Sequence, residues 1–133
     1  MGVDFVQAIR DAYEGNILLR LPYGGELPQD FPEELCRILA VSNGIEEMME
    51  HPRTGERMCI GWILYSYEMM CEWSSYYRKE YGVTGTVFAD DGADCSYFLK
   101  PDGRIVCLDS VDGTETEVAM SLNEYCRSYL KGH

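Results

Sequence analysis

The sequence predicts an α+β fold in which about four helices flank a central, mostly antiparallel sheet. Four segments place apolar residues at helical spacing, and the C-terminal half contains short runs of strand-forming residues separated by turns. The 133 residues are 46% hydrophobic, which suits one domain with one core. No repeat, low-complexity tract or linker interrupts the order of elements. We therefore expect a single domain over residues 1–133.

The first two helices are predicted from apolar spacing and from the residues that end them. The first spans residues 3–14 and ends at Gly15-Asn16. The second begins near Asp30, where Asp30 and Glu33 resemble a capping box, and ends at Asn43-Gly44. The residues expected to face inward are Phe5, Ile9, Ala12 and Tyr13 in the first helix, and Leu35, Ile38, Leu39 and Ser42 in the second.

Two more helices follow. Helical spacing returns between Ser66 and Tyr81, and Gly82 ends it. Ser121 and Glu124 form a capping box for a last helix that is predicted to end near Lys131. The inward faces are expected to carry Tyr67, Met70, Ser74, Tyr77 and Tyr81 in the third helix, and Leu122, Tyr125, Cys126 and Tyr129 in the last.

The strands are predicted from short runs of β-formers between turn residues. Turn formers at 51–55 indicate a hairpin-like excursion that returns as a strand over 58–63. Three further strands are predicted over 86–89, 95–99 and 105–108. Aspartate- and glycine-containing turns separate these three strands.

The charge excludes several partners. There are 11 Lys and Arg against 23 Asp and Glu, which gives a net charge of −12. Such a surface repels phosphate backbones and anionic lipid, so we expect neither direct nucleic-acid binding nor membrane binding. No secretory signal and no apolar window of about 20 residues is visible. We expect a cytoplasmic protein.

The six cysteines occur without any Cys-x-x-Cys pair, the spacing that usually announces a zinc site. In a reducing cytosol they are expected to be free thiols, and mostly buried because an unpaired cysteine behaves as a small hydrophobe. We expect no metal and no cofactor. The cysteines are Cys36, Cys59, Cys71, Cys95, Cys107 and Cys126.

Signals for catalysis are weak. A nucleophile needs a base, and the only histidines are His51, beside a turn proline, and the terminal His133. Asp90, Asp91 and Asp94 could suggest a cation site, but they miss the EF-hand spacing, and a solvated turn is the favoured interpretation. An aromatic series is expected mainly in the core, with an exposed subset left for a protein interface. Its members are Trp62, Tyr65, Tyr67, Trp73, Tyr76, Tyr77 and Tyr81.

The acidic residues are unevenly distributed. Residues 83–123 contain eight acids and two bases, so this segment carries six net negative charges. A field of this kind steers a basic partner into place, although a solubilising surface explains it equally well. The tentative partner-binding residues are Asp90, Asp91, Asp94, Asp109, Asp112, Glu115 and Glu117, with Glu46, Glu47 and Glu50 as the next candidates.

Three segments, in this order, resemble the SUKH superfamily, also called Smi/Knr-like. They are Leu27-Pro28 followed by a helix and Asn43-Gly44, the strand and acidic turn over 87–97, and residues 103–125 with their last strands and closing helix. The resemblance covers about residues 21–130, while 46–56 matches no known part of the family. It implies an α+β fold and a non-enzymatic role. Many bacterial members are immunity proteins that neutralise toxins, often nucleases, and fungal members regulate cell-wall synthesis.

The acidic composition and the resemblance suggest one hypothesis together. A toxin that acts on nucleic acid must be basic, and an acidic protein can occlude it. The expected function is therefore non-enzymatic binding and neutralisation of a toxin. The alternatives are a regulatory module with an endogenous partner, and a small enzyme whose site assembles from scattered carboxylates.

Overall fold

The computed structural model describes residues 5–92 and 94–129 and contains both helices and antiparallel strands, which confirms the predicted α+β class. The helices are α1 (Phe5–Ala12), α2 (Glu33–Leu39), α3 (Tyr67–Tyr81) and α4 (Leu122–Glu124), and α4 continues as a π-helical turn, Tyr125–Tyr129. The strands are β1 (Ile17–Leu19), β2 (Ile45–Glu50), β3 (Arg57–Leu64), β4 (Thr86–Asp90), β5 (Cys95–Leu99), β6 (Ile105–Asp109) and β7 (Thr114–Ala119).

The strands form two antiparallel sheets instead of one central sheet. One sheet has the order β1-β2-β3 and the other β4-β5-β6-β7. The two are joined where β3 ends, because the N–H of Tyr65 donates to the carbonyl of Phe88 at 2.8 Å. β2 and β3 form the expected hairpin, and the register shifts twice along it.

Both faces of the four-stranded sheet are covered by helices. Side chains of Tyr97 and Phe98 point to opposite faces because they are adjacent in β5. Tyr77 of α3 packs edge-on against Phe98 at 5.3 Å between ring centres, and Tyr125 packs against Tyr97 at 5.6 Å. Residues 87–89 of β4 are all buried, as expected for a strand covered on both faces.

The predicted end of α3 and the start of α4 are confirmed by their hydrogen bonds. The Ser66 side chain accepts from the N–H of Met69 at 3.2 Å, and Gly82 ends α3 in the left-handed conformation with φ 70°. Ser121 accepts from the N–H of Glu124 at 3.0 Å, and the Glu124 carboxylate accepts from the N–H of Met120. The predicted end at Lys131 lies outside the described residues, as does the first predicted residue of α1, at position 3.

The capping box predicted for α2 is wrong. Pro32 has φ −55° and ψ 126°, so the helix starts after it and no side chain caps its first turn. In a helix capped by Asp30, Pro32 would be the second helical residue, and it has no N–H to donate to the cap. The predicted inward face of α2 is confirmed, since Leu35, Ile38, Leu39 and Ser42 are buried.

Asn43 and Gly44 link α2 to α3 as well as ending α2. The Asn43 side chain accepts from the N–H of Tyr67 at 2.7 Å and donates to Glu68 at 3.1 Å. Gly44 has φ 107°, and a Cβ there would lie 2.7 Å from the Trp62 ring. This turn therefore requires glycine, both for its backbone conformation and for the space beside Trp62.

Candidate protein interface

The antiparallel order of the second sheet brings two turns to the same end. The turn between β4 and β5 and the turn between β6 and β7 both lie opposite the β5–β6 turn. They are held together because Ser110 donates to the carbonyl of Asp94 from its N–H at 2.9 Å and from its hydroxyl at 3.0 Å. Aspartates that are distant in the sequence therefore meet at this end.

Five of the seven predicted acids lie there, and we call them the aspartate end: Asp90, Asp91, Asp94, Asp109 and Asp112. Most of them accept hydrogen bonds from the backbone of their own turn. Asp90 accepts from Gly92 at 2.8 Å, Asp109 from Val111 at 2.9 Å and Asp112 from Thr114 at 2.9 Å. The bond from the Thr114 N–H holds the pKa of Asp112 below its usual range, so this group is ionised at neutral pH.

The aspartate end is also anchored to the core by a tyrosine. The buried Tyr65 hydroxyl donates to the second carboxylate oxygen of Asp90. Burial, and then this bond to an anion, raise the pKa of Tyr65. Within the described residues, no lysine or arginine forms an ion pair with Asp90, Asp94, Asp109 or Asp112. Neutral donors thus hold these turns without cancelling their charge.

The other two predicted acids lie along the edge strand β7 and are paired with cations. Lys100 lies 2.8 Å from Glu115, and Arg104 lies 3.3 Å from Glu117 and 2.7 Å from Asp102. Hydrogen bonds to these two carboxylates raise the pKa of Arg104. We call Lys100, Asp102, Arg104, Glu115 and Glu117 the ion-pair strip. Its three carboxylates and two cations leave one net negative charge, so Glu115 and Glu117 contribute little to an acidic field.

The next candidate group, Glu46, Glu47 and Glu50, is divided by its strand. Adjacent residues of β2 point to opposite faces. Glu46 is paired with Arg20 at 2.6 Å, while Glu47 lies near Tyr13 and, together with burial as the larger cause, raises the pKa of that tyrosine to about 12. These acids do not form one charged face.

The aromatic series separates into core and surface members. Tyr65 is buried, and Trp62, Tyr67 and Tyr77 are half-buried, as predicted for core packing. The remaining three, Trp73, Tyr76 and Tyr81, lie on α3 with 36%, 45% and 39% of their surfaces exposed, and we call them the aromatic patch. The Tyr81 hydroxyl donates to the carbonyl of Ser110 at 3.3 Å. The aromatic patch therefore adjoins the turn that carries Asp109 and Asp112.

A cleft of about 670 Å³ lies at the other end of α3, beside β1. Its lining includes Tyr23, Trp62 and the Arg20 side chain, and contains neither histidine nor cysteine. His51 lies in the β2–β3 turn, where its Nδ1 accepts from the N–H of Arg53 at 3.1 Å. His133 is outside the described residues. No catalytic pair of a nucleophile and a histidine base forms in this cleft.

The expectation that the cysteines are mostly buried is wrong. Only Cys126 is buried, three are half-buried, and Cys59 and Cys71 are exposed. Burial raises the pKa of Cys126 and of Cys107 to about 12, so both are protonated at neutral pH. Cys59 lies in the first half of β3, where residues 57–60 are all exposed, beside Met48 at 3.3 Å between sulfur atoms.

The described residues contain neither a metal-binding cluster nor a membrane-spanning helix. Over 5–92 and 94–129, no group of three or more His, Cys, Asp or Glu side chains is arranged to hold a metal ion. In the same part of the chain, no helix combines the length and the apolar character needed to cross a bilayer.

No protein-family model matches this chain, and neither a curated protein sequence nor a solved structure matches it with statistical significance. The resemblance to the SUKH superfamily therefore stays a prediction.

Proposed function

We propose that this chain is a non-enzymatic protein-binding domain that engages a basic protein through its aspartate end, and that the partner is a bacterial toxin domain which it neutralises. The observation that carries the proposal is the gathering of five aspartates, from two separate turns, at one end of a sheet. The carboxylates of Asp90, Asp109 and Asp112 are held by backbone N–H groups and by the Tyr65 hydroxyl, and these neutral donors leave their charge to act on a partner.

The sign of this charge argues for a protein partner. Nucleic acids and anionic lipids are repelled by it, whereas a domain that itself binds nucleic acid carries the complementary charge. The resemblance to immunity proteins supports a toxin of that kind. If the gene neighbours only housekeeping functions, the same surface would serve a regulatory module with an endogenous partner.

An enzymatic role has less support. The carboxyl groups of Asp102 and Asp112 both have lowered pKa values, because backbone and side-chain donors stabilise their anions. A general acid needs a shift in the opposite direction. Both residues also lie in exposed turns, not in the cleft.

The test begins by identifying whether a toxin domain is encoded beside this gene, and then measures association with the catalytically inactivated form of that domain. The association rate constant should fall about tenfold or more between about 25 and 150 mM NaCl, because salt screens exposed charges beyond a Debye length of about 8 Å. The dissociation rate should change less. The triple variant D91N/D94N/D112N, which keeps the acceptor oxygens of the turns, should reproduce this slowing at low salt.

The matched control is E26Q/E34Q/E56Q, which removes the same charge from three exposed positions elsewhere. It should leave association within about twofold of the wild type, since steering depends on where the charge lies. Thermal unfolding of every variant excludes misfolding. If the aspartate triple variant associates and protects at wild-type rates across the salt series, the aspartate end is not the site, and Glu46, Glu47 and Glu50 are tested next.

A further inference from the structure

The aromatic patch is an exposed aromatic surface on a well-formed helix. Trp73 and Tyr76 pack edge-to-face at 5.4 Å between ring centres, and Tyr76 lies 6.4 Å from Tyr81. Behind them, the half-buried Tyr77 hydrogen-bonds through its hydroxyl to Ser96 of β5 at 2.9 Å. The rings therefore stand on a rigid base with their outer surfaces open. Clusters of tryptophan and tyrosine of this kind often supply the central contacts of protein interfaces.

Carboxylates border this patch. The hydrogen bond from Tyr81 to Ser110 places the patch beside Asp109 and Asp112 of the aspartate end. The side chain of Val111, 75% exposed, extends the apolar surface across the same turn. On α3 itself, Glu80 shares a stripe with Trp73 and Tyr76, because residues three, four and seven apart lie on one helix face. The same spacing puts Lys79 beside Tyr76 and Arg78 beside Tyr81, so the border of the rings carries both signs on α3 and is negative toward the aspartate end.

One side chain complements both halves of this surface. The arginine guanidinium stacks on aromatic rings and also pairs with carboxylates, and it is less strongly hydrated than the lysine ammonium. Lysine is complementary to the carboxylates but gains less from the rings. The charge of the aspartate end excludes an acidic occupant, and the rings distinguish arginine from lysine.

We propose that the aromatic patch and the aspartate end together form one docking surface that selects arginine over lysine in a basic protein partner. This inference rests on the proposed function and adds the chemical identity of the contacting side chains. Trp73 and Tyr76 are expected to provide the selectivity, while the aspartates provide attraction to either cation.

Octa-arginine and octa-lysine peptides are the probes, since they match in length and charge. Titration of the full chain, followed by calorimetry and by the indole N–H resonance of Trp73, should show that octa-arginine binds about three- to tenfold tighter, from one or two exposed cation–π contacts. The W73L/Y76L variant should lower this ratio to about one and leave octa-lysine binding nearly unchanged. D91N/D94N/D112N should weaken both peptides.

The control M49L/M58L changes two equally exposed apolar side chains on the β2–β3 hairpin and should keep the arginine preference. If the double variant folds poorly, the single variant Y76L replaces it and should lose part of the preference for octa-arginine. Equal affinity for the two peptides in the wild type, or a ratio that survives W73L/Y76L, overturns the arginine selectivity. Such a result leaves the proposed function standing if the aspartate triple variant still slows toxin association. Conversely, if the wild type prefers octa-arginine and W73L/Y76L abolishes that preference, while the aspartate triple variant leaves toxin association unchanged, the toxin partner is rejected and the arginine surface is retained.

Discussion

The aspartate end and the ion-pair strip both contain carboxylates, are close in sequence, and belong to one sheet. Backbone N–H groups and the Tyr65 hydroxyl hold the carboxylates of Asp90, Asp109 and Asp112 at the aspartate end. Lys100 and Arg104 hold those of the strip. A neutral donor fixes a carboxylate and preserves its charge, whereas a cation fixes it and cancels the charge. The count of acids in a segment therefore overstates the field that a partner experiences.

Tyr65→Phe tests the anchor of the aspartate end and has the largest expected effect on stability. It removes a hydrogen bond from a buried donor to a carboxylate, so the free energy of unfolding at neutral pH should fall by about 2 kcal/mol. Urea unfolding at equilibrium measures the change. An unchanged urea midpoint would show that Asp90 is not anchored by this bond.

The stability difference between the wild type and Y65F should depend on pH, and the pKa of Tyr65 defines the sign. The folded pKa of Tyr65 is raised above its usual value of 10.0, so its stabilisation is fully present below about pH 10 and is lost as the pH rises further. The stability difference between wild type and Y65F should therefore be constant from pH 7 to about 9 and shrink above about 10. Cys107 and Cys126 titrate in both proteins, so their effects cancel. A difference that grows at alkaline pH would contradict this assignment.

Lys100 and Arg104 of the ion-pair strip should contribute different amounts to the free energy of unfolding. The Lys100 side chain is only 9% exposed and donates to the Thr84 carbonyl at 2.9 Å as well as to Glu115. Lys100→Met should cost about 1–2 kcal/mol, because it leaves partly buried acceptors without a donor. Arg104→Met should cost less than Lys100→Met, since the Arg104 side chain and its partners are well solvated. Equal losses measured by urea unfolding would argue against burial as the cause.

Neutralising one carboxylate should give the smallest change in stability, and the change should have opposite signs in the two regions. Asp94→Asn removes one like charge from the aspartate end and should raise stability, whereas Glu117→Gln removes a partner of Arg104 and should lower it, each by under about 0.5 kcal/mol. Both shifts should disappear in about 1 M NaCl, where screening reaches about 3 Å. Urea midpoints at low and high salt measure them. If both substitutions shift the urea midpoint in the same direction at low salt, the aspartate end and the ion-pair strip do not differ in their electrostatics as described.

Local signals identified most of the helices and several strands. Ser66 and Gly82 delimit α3 because the cap and the left-handed stop are determined by residues within a few positions. β1 was not predicted because three residues are too few to show a period. β7 was not assigned as a strand from its residues, since Thr114–Ala119 alternates threonine and glutamate on an exposed edge, without the apolar run that marked the other strands.

The sequence identified which acids the candidate interface contains but not how they are arranged. The seven acids were identified, but their division into five aspartates at one end and two ion-paired glutamates depends on strand order and on the reach of Lys100 and Arg104. Trp73 and Tyr76 lay outside the inward face that the helical spacing predicted, but Tyr81 was expected on that face and is exposed. Spacing assigns residues to a face, and only the packing of α3 on the sheet determines which face is covered.

The sequence by itself determined the α+β class, the caps of α3 and α4 and the acidic character of residues 83–123, because these follow from local propensity and from charge, which is a property of composition. Tertiary structure alone decided that Ser110 joins the two aspartate turns and that Tyr81 brings the aromatic patch beside them. It also decided which carboxylates meet a cation. These contacts join residues far apart in the chain, and the energy of each depends on distances that exist only after the sheet has formed.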